Sequence, residues 1–591
     1  MKTNLINFLF LIFLLFFIEN SYSQTYNWAN KLGRDNSKSH TTVLDIKVDK
    51  NENFYISGSF GDTMNINLNQ GVNNIIPSKP FLETYFVAKY DKQKNLIWIK
   101  TMSGIDFYFH YTISIDPNDN IIIAASYNDT FRLYDTNVNL KSNGKNDFVI
   151  LKFNQQGSLL WHKYFGGTQN DYNQTDIEIS KQGNIYIHGI FGDSLFFPKI
   201  NGLQQKTYST EGRKDIFIMK LDSNGDRVWF NQIKCYKNNS ESKGITIDNE
   251  ENIILIGRFE DSIQLADNML LKANKFKQFI LKMNDSGMIL WFKTIESDID
   301  YFNWFLDVKT DYNNNIYTTF SVTGDNEVVL KNDSFIYNSI RVKQSGILLF
   351  KLNPKGDYKW VRTFFSGRKD RRESCLYVSD KVYMVGTYVD SILIDSMNWK
   401  LKSKAGNSFL AIIDTMGTII SCAGTKIIGD FSGRGGVSIY SLFVRENSIY
   451  TAGFFNVKSD FDLSKSSYEL DGSKGFLNKG FIARYNTNII NKDSIDKECY
   501  TSIIEEKNKF MTEVIHLYPN PTIDFLNIEL SAIPNFLSIK VLNIIGNEVI
   551  TQVFQKQKDI KVDLSTIPKG IYLFKVVIDH SQNQYFKIIK E

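Results

Sequence analysis

Aspartate is the residue whose placement in this chain most invites a chemical reading. Asp62, Asp129, Asp193, Asp261 and Asp390 each stand nine residues after the first residue of a recurring strand pattern, and Asp325 stands ten after another. Carboxylates repeated in that way could gather around a common centre, hold a cation or bind sugar hydroxyls. Each of the five is followed by Ser or Thr, a pairing that suits an Asx turn at a strand end, so turn chemistry is the expected role. Asp49–Asn53, Asp116–Asn120 and Asp311–Asn315 alternate acidic and amide side chains, whose oxygens suit calcium. An EF-type loop also needs a Gly turn and a distant bidentate Glu, which these segments lack. Hairpins are therefore expected there and no cofactor, with a structural calcium ion as the alternative.

Other chemistry is sparse. The six histidines, His40, His110, His162, His188, His516 and His580, never fall at metal-ligand spacing. Cys235, Cys375, Cys422 and Cys499 form no CxxC pair, which argues against zinc and leaves three possible disulfide pairings open. No Gly-x-Ser-x-Gly elbow, His-Glu-x-x-His helix or phosphate loop occurs, so no catalytic and no metal residue is assigned. A glycosidase needs only two carboxylates about 5–10 Å apart, which a ring could bring together without a local motif.

Those residues must be positioned by a repeated element. The pattern beginning at Asn53, Asn120, Asn184, Asn252, Asn315, Lys381 and Ser448 returns at intervals of 67, 64, 68, 63, 66 and 67 residues, the signature of a stacked supersecondary unit. A strand around Trp28, Trp98, Trp161, Trp229, Trp291 or Trp360 opens each unit, with Ser421 in the seventh place, and an apolar strand such as Phe86–Tyr90 or Phe148–Lys152 closes it. One more strand, such as Ile46–Asp49, precedes the Asn-Ile-Tyr strand, giving four. Turns such as Asp222–Gly225 and Asn353–Gly356 predict antiparallel pairing. The expected fold is all-β, a seven-bladed propeller with the repeated Trp packing between blades. The first Trp strand has no closing strand before it and the last closing strand, Phe481–Tyr485, has no Trp strand after it, so the two are expected to share a blade. Long segments between the third and fourth strands, such as Gly61–Tyr85 and Gly192–Lys214, are where one face would gain its individuality and its contact surface.

Lys+Arg 68 against Asp+Glu 64 leaves +4, too weak a field to attract nucleic acid. Lys2 followed by the apolar run Phe8–Ile18 and small residues to Ser23 reads as a secretory signal over 1–23. That run is too short to span a bilayer, and no later one qualifies, so no transmembrane segment is expected in the mature chain. The ring is expected over 24–486 and a polar linker over 487–512.

A small β domain, expected as a sandwich, follows at 513–591. Pro519 and Pro521 around Asn520 fix an extended entry, and Asp524 can accept hydrogen bonds in the next turn. Tyr518-Pro-Asn-Pro-Thr522 with Asp524, then Val541–Gly546, Asp563–Ser565, Gly570-Ile-Tyr572 and the basic ending Lys587–Lys590 resemble the C-terminal sorting domain of type IX secretion substrates. The resemblance implies export across the outer membrane of a gram-negative cell by the type IX machinery, with Pro519, Asn520, Pro521, Asp524, Gly546, Gly570 and Tyr572 as the sorting signal. The repeats are similar to bacterial β-propeller repeats with a Trp strand and an Asn-Ile-Tyr-x-x-Gly strand; copy five, with Thr319 and Phe320 where Gly is usual, and copy seven depart from that pattern.

The function expected on these grounds is a secreted or cell-surface, non-catalytic binding or adhesion module whose glycan or protein ligand the sequence leaves open. A glycan-active hydrolase or lyase and a passive envelope component are the alternatives.

Overall fold

The computed structural model describes residues 26–487 and 515–591, apart from short interruptions of which the longest are 76–82, 106–111, 198–205, 298–303, 367–373, 429–435 and 531–536. The expected signal segment, almost all of the linker, Asp325, Asp390 and Cys499 lie outside the described residues. The chain divides into two compact units, 1–495 and 496–591.

The first unit is a ring of seven four-stranded antiparallel sheets. The first blade runs from its innermost strand Thr41–Val48 through Phe54–Phe60 and Thr84–Tyr90 to an outer strand Leu96–Ile105. The other innermost strands are Thr112–Ile115, Tyr172–Ile179, Glu241–Ile247, Trp304–Thr310, Ser374–Val378 and Val437–Arg445. Each packs against the next in that order and the last packs against the first, so the ring is closed. The last blade takes its outer strand from the other end of the chain. Tyr26–Leu32 pairs antiparallel with Lys479–Asn486, Tyr26 opposite Tyr485 and Leu32 opposite Gly480. Both faces of each sheet are buried between blades, which is why the Asn-Ile-Tyr strands read as continuous apolar runs: Phe54–Phe60 is buried at every residue.

The blades are joined by a repeated polar device. Trp98, Trp229, Trp291 and Trp360 on the outer strands donate their indole N–H to Gln155, Asp285, Pro354 and Thr415 carbonyls in the turn of the following blade, at 2.8–3.1 Å. Lys89, Lys282 and Lys351 on the neighbouring strands reach three of the same carbonyls. That turn needs a left-handed residue: at Gly356 φ is +89°, and a Cβ there would lie 3.3 Å from the Trp291 ring. The repeated Trp is thus the inter-blade packing residue.

The hairpins expected at Asp49, Asp116 and Asp311 form as such. Asp116 Oδ1 accepts Asn118 N and Asn120 N at 2.9 Å, its Oδ2 accepts Asn120 Nδ2, and Lys152 pairs with it at 2.8 Å. Asp129, Asp193 and Asp261 take positive φ values of 52°, 73° and 65°. All three sit where the register of a strand pair slips, so they are bulge residues inside long hairpins. Asp62 caps its own turn, accepting Thr63 N at 2.7 Å.

The long segments expected as free loops are hairpin extensions. Met102 and Ser103 on the outer strand of the first blade pair with Leu133 and Arg132 of the second. Lys234 and Cys235 pair likewise with Gln264 and Ile263, and Phe364–Ser366 with Ile392–Ile394. These segments clasp one blade to the preceding one, which removes much of the freedom that would have made them a variable contact surface.

The second unit is a sandwich. One sheet holds Ile515–Tyr518, Phe525–Leu530 and Asp559–Asp563, and the other Glu548–Phe554, Leu537–Leu542, Gly570–Ile578 and Asn583–Lys590. Leu537, Ile539 and Val541 alternate inward and pack with Leu526, Ile528, Val562, Phe574 and Ile588.

Candidate functional site

The innermost strands line a central channel, a cavity of about 930 Å³ to which all seven blades contribute. Register slips at Val43/Asp45, Ser242/Gly244, Phe305/Asp307 and Ile439/Ser441 leave one extra residue on each of four innermost strands. Those residues, Leu44, Lys243, Leu306 and Tyr440, all line the channel.

Its carboxylates are held by partners. Asp45 Oδ1 accepts Lys47 Nζ at 2.7 Å and Ser441 Oγ at 2.6 Å from the last blade, and its Oδ2 accepts Ile113 N at 3.2 Å from the second. Asp307 repeats the arrangement, accepting Leu376 N of the next blade at 2.7 Å. Asp176 stands at the same place in the third blade, four residues before its hairpin, but its partner is Lys309, which lies 3.4 Å from Asp176 and 2.9 Å from Glu178. Burial works against the charge on Lys309, yet Asp176, Glu178 and Asp307 together hold its pKa well above the usual lysine range. Burial lifts the Asp176 carboxyl, with Lys309 opposing and Glu178 and Asp307 reinforcing. Nearer the hairpins, Lys50 pairs with Asp119 at 2.9 Å and Arg445 donates to the Val48 carbonyl at 3.0 Å. The channel wall thus mixes apolar side chains with a dense set of charges, and its described carboxylates are paired.

Sequence reasoning assigned none of these residues. The signal was present in Leu44-Asp-Ile-Lys47 and Leu306-Asp-Val-Lys309, the same order at the same offset from a hairpin. The three described cysteines are free. Burial raises Cys235 to about 12, so its thiol is unreactive.

In the second unit, Pro519, Asn520, Pro521 and Gly546 lie outside the described residues. Thr522, directly after them, is bound to the chain end: Thr522 N donates to Ile589 O and Glu591 N to Thr522 O, both at 2.9 Å. Lys590 donates to the Ile523 carbonyl and lies 3.3 Å from Asp524 Oδ1. Leu564 N donates to the Asp524 carbonyl at 2.7 Å. Gly570 is paired with Lys590 across the strands, and buried Tyr572 donates its hydroxyl to Pro568 O at 2.7 Å. Asp524 and Gly570 therefore meet at Lys590, which the assigned signal had omitted.

The ring is a seven-bladed β-propeller by its strand order and closure. Residues 516–591 match the family model described as a secretion system C-terminal sorting domain, so the chain is a secreted or cell-surface protein that engages the type IX export machinery through this unit. An uncharacterized WD repeat-containing protein of Acanthamoeba polyphaga mimivirus is 22% identical over 356 residues, 51% of this chain; the match spans about a quarter of that relative's length. Among solved structures, an ulvan lyase of polysaccharide lyase family 25 aligns at 11% identity and TM-score 0.36, covering 76% of this chain and 96% of its own. A rhamnogalacturonan lyase aligns at 10% identity and TM-score 0.26, covering 78% and 91%. Among the described residues no helix is long and apolar enough to cross a membrane.

Proposed function

We propose that the ring, residues 24–486, is a non-catalytic binding or adhesion module that takes a neutral, hydroxyl-rich ligand such as a glycan in its central channel. The carrying observation is the pairing of the channel carboxylates: Asp45 and Asp307 are committed to backbone amides of neighbouring blades, and Asp176 and Glu178 to Lys309. Such a wall offers many hydrogen-bond donors and acceptors with its charges already balanced, which suits a polar, uncharged ligand. Asp45, Asp176 and Asp307 also share one blade position, a structural repetition of the kind a unique catalytic pair would break. A second reading, a hydrolase or lyase, draws on one feature: Asp176 and Glu178 lie two residues apart on one strand, and the Asp176 carboxyl is raised.

In this reading residues 1–23 direct export and are removed, 487–512 tether the ring, and 513–591 carry the sorting signal, with Pro519, Asn520, Pro521, Asp524, Gly546, Gly570 and Tyr572 its parts. The destination is the outer surface of a gram-negative cell or the medium. The deciding experiment places the mature chain on a glycan array and in a polysaccharide-turnover assay beside Asp176→Asn. Retention without product supports the binding module. Product release that Asp176→Asn abolishes establishes the enzyme instead.

A further inference from the structure

One layer of the channel is not uniform around the ring. The residue two places before each innermost strand turns into its hairpin lines the cavity in all seven blades. In the first five blades it is polar or charged, Ser114, Glu178, Thr246 and Lys309 among them, and in the last two it is Tyr377 and Phe443. The aromatic pair therefore stands on adjacent blades. Glu178 of the third blade faces it across the ring by blade order, with Ser114 and Thr246 on either side.

Tyr377 and Phe443 meet with 5.1 Å between ring centres and 62° between ring planes. Both keep part of their surface open, whereas the tyrosines that pack the blades, such as Tyr55, Tyr186 and Tyr317, are fully buried. Blade packing does not require a ring at this place, since five blades do without one. Arg445 lies over the Phe443 ring at 5.9 Å and is itself held by its bond to the Val48 carbonyl. No described residue bonds the Tyr377 hydroxyl. Burial raises its pKa above the usual tyrosine value, so it stays a neutral donor and acceptor.

We infer that Tyr377 and Phe443 are the platform on which the channel seats a neutral pyranose ring, its C–H face against the aromatic pair and its hydroxyls toward Ser114, Glu178 and Thr246. The inference rests on the binding reading above and narrows its ligand to pyranose glycans. A pyranose with equatorial hydroxyls carries its ring hydrogens axially, so its flat faces are C–H and its edge is hydroxyl. Those weakly positive hydrogens suit the negative face of an aromatic ring. A wall that is apolar on one side, with a few placed polar groups on the other, fixes the orientation of such a two-sided ligand. A furanose or an open-chain polyol offers no matching flat face.

The test titrates the mature full chain in a calorimeter with neutral hexasaccharides of β-linked glucose, xylose or mannose, and with inulin, a furanose polymer. Binding of at least one pyranose probe, and none of inulin, is expected. Tyr377→Leu and Phe443→Leu keep apolar volume and lose the aromatic face, so each should weaken that binding roughly tenfold. Tyr164→Leu, on the outer strand of the second blade, should leave it unchanged. A second measurement needs no variant to fold: saturation-transfer NMR on the native chain irradiates aromatic protons, and transfer to the bound sugar's ring C–H protons is expected. Equal binding of inulin, full affinity in the folded leucine variants, or absence of that transfer overturns the platform and leaves the binding reading standing. A native chain that binds none of the pyranose probes overturns this inference and, where the glycan array is silent too, the binding reading with it.

Discussion

Lys152 and Asp116 carry a buried charge pair, their side chains 7% and 2% exposed and 2.8 Å apart. Lys152 also donates to the Ser223 carbonyl of the next blade at 3.0 Å, so one ammonium serves two blades. Removing it in Lys152→Met leaves an uncompensated carboxylate, and a loss of about 3–5 kcal/mol by denaturant unfolding is expected. The acid limb gives a second reading of the same pair. Burial disfavours the charged form of Asp116, but the bonds from Lys152 and Asn120 outweigh it and hold its pKa below the usual 3.8. The contribution is therefore complete above about pH 4 and is lost as the pH falls through the lower folded value, so the native chain should lose stability more steeply than Lys152→Met below pH 4. Single residues were legible in the sequence where their role is local: the hairpin aspartates and the packing Trp were visible from spacing. The channel was not, because Glu178 and Lys309 meet across 131 residues of sequence and only ring closure brings them together.

Each blade is fixed to the next by an outer-strand Trp and the turn it caps. Trp291→Ala loses both ring packing and the bond to Pro354 O, and should cost roughly 3 kcal/mol. Gly356→Ala is the complementary probe. It places a Cβ at φ +89°, 3.3 Å from that ring, so about 1–2 kcal/mol is expected, with the two effects less than additive in thermal unfolding because they share one contact. Strands were readable because inter-blade burial writes continuous apolar runs such as Phe54–Phe60. The hairpin extensions were hidden. Asn139–Phe153 is buried only in its second half, and the start of its loop-like first half, Asn139-Leu-Lys141, pairs with Arg132–Thr130 in the same blade. What makes such polar segments strands is a partner elsewhere, which local composition does not report.

The ring as a whole depends on its two ends. Deleting residues 24–32 removes the outer strand of the last blade, including buried Ala29 and Leu32, and bares the edge of Lys479–Asn486. The truncated chain should melt lower by roughly 10 °C, the scale of several kcal/mol in a protein of this size, and should associate on size-exclusion chromatography as the open edge recruits another chain. The number of blades and the manner of closure were both legible, the first from the spacing of the Asn-Ile-Tyr strands and the second from an unpartnered strand at each end. Tyr26 and Tyr485 stand opposite each other at one end of that closing pair, so the chain enters and leaves the ring side by side. A pull applied between those two exits would open the clasp like a zipper, one rung at a time. A pull on the C-terminal exit alone leaves the N-terminal exit slack and does not unzip it. In the binding reading proposed above, anchorage through the C-terminal exit alone is thus the arrangement that spares this clasp.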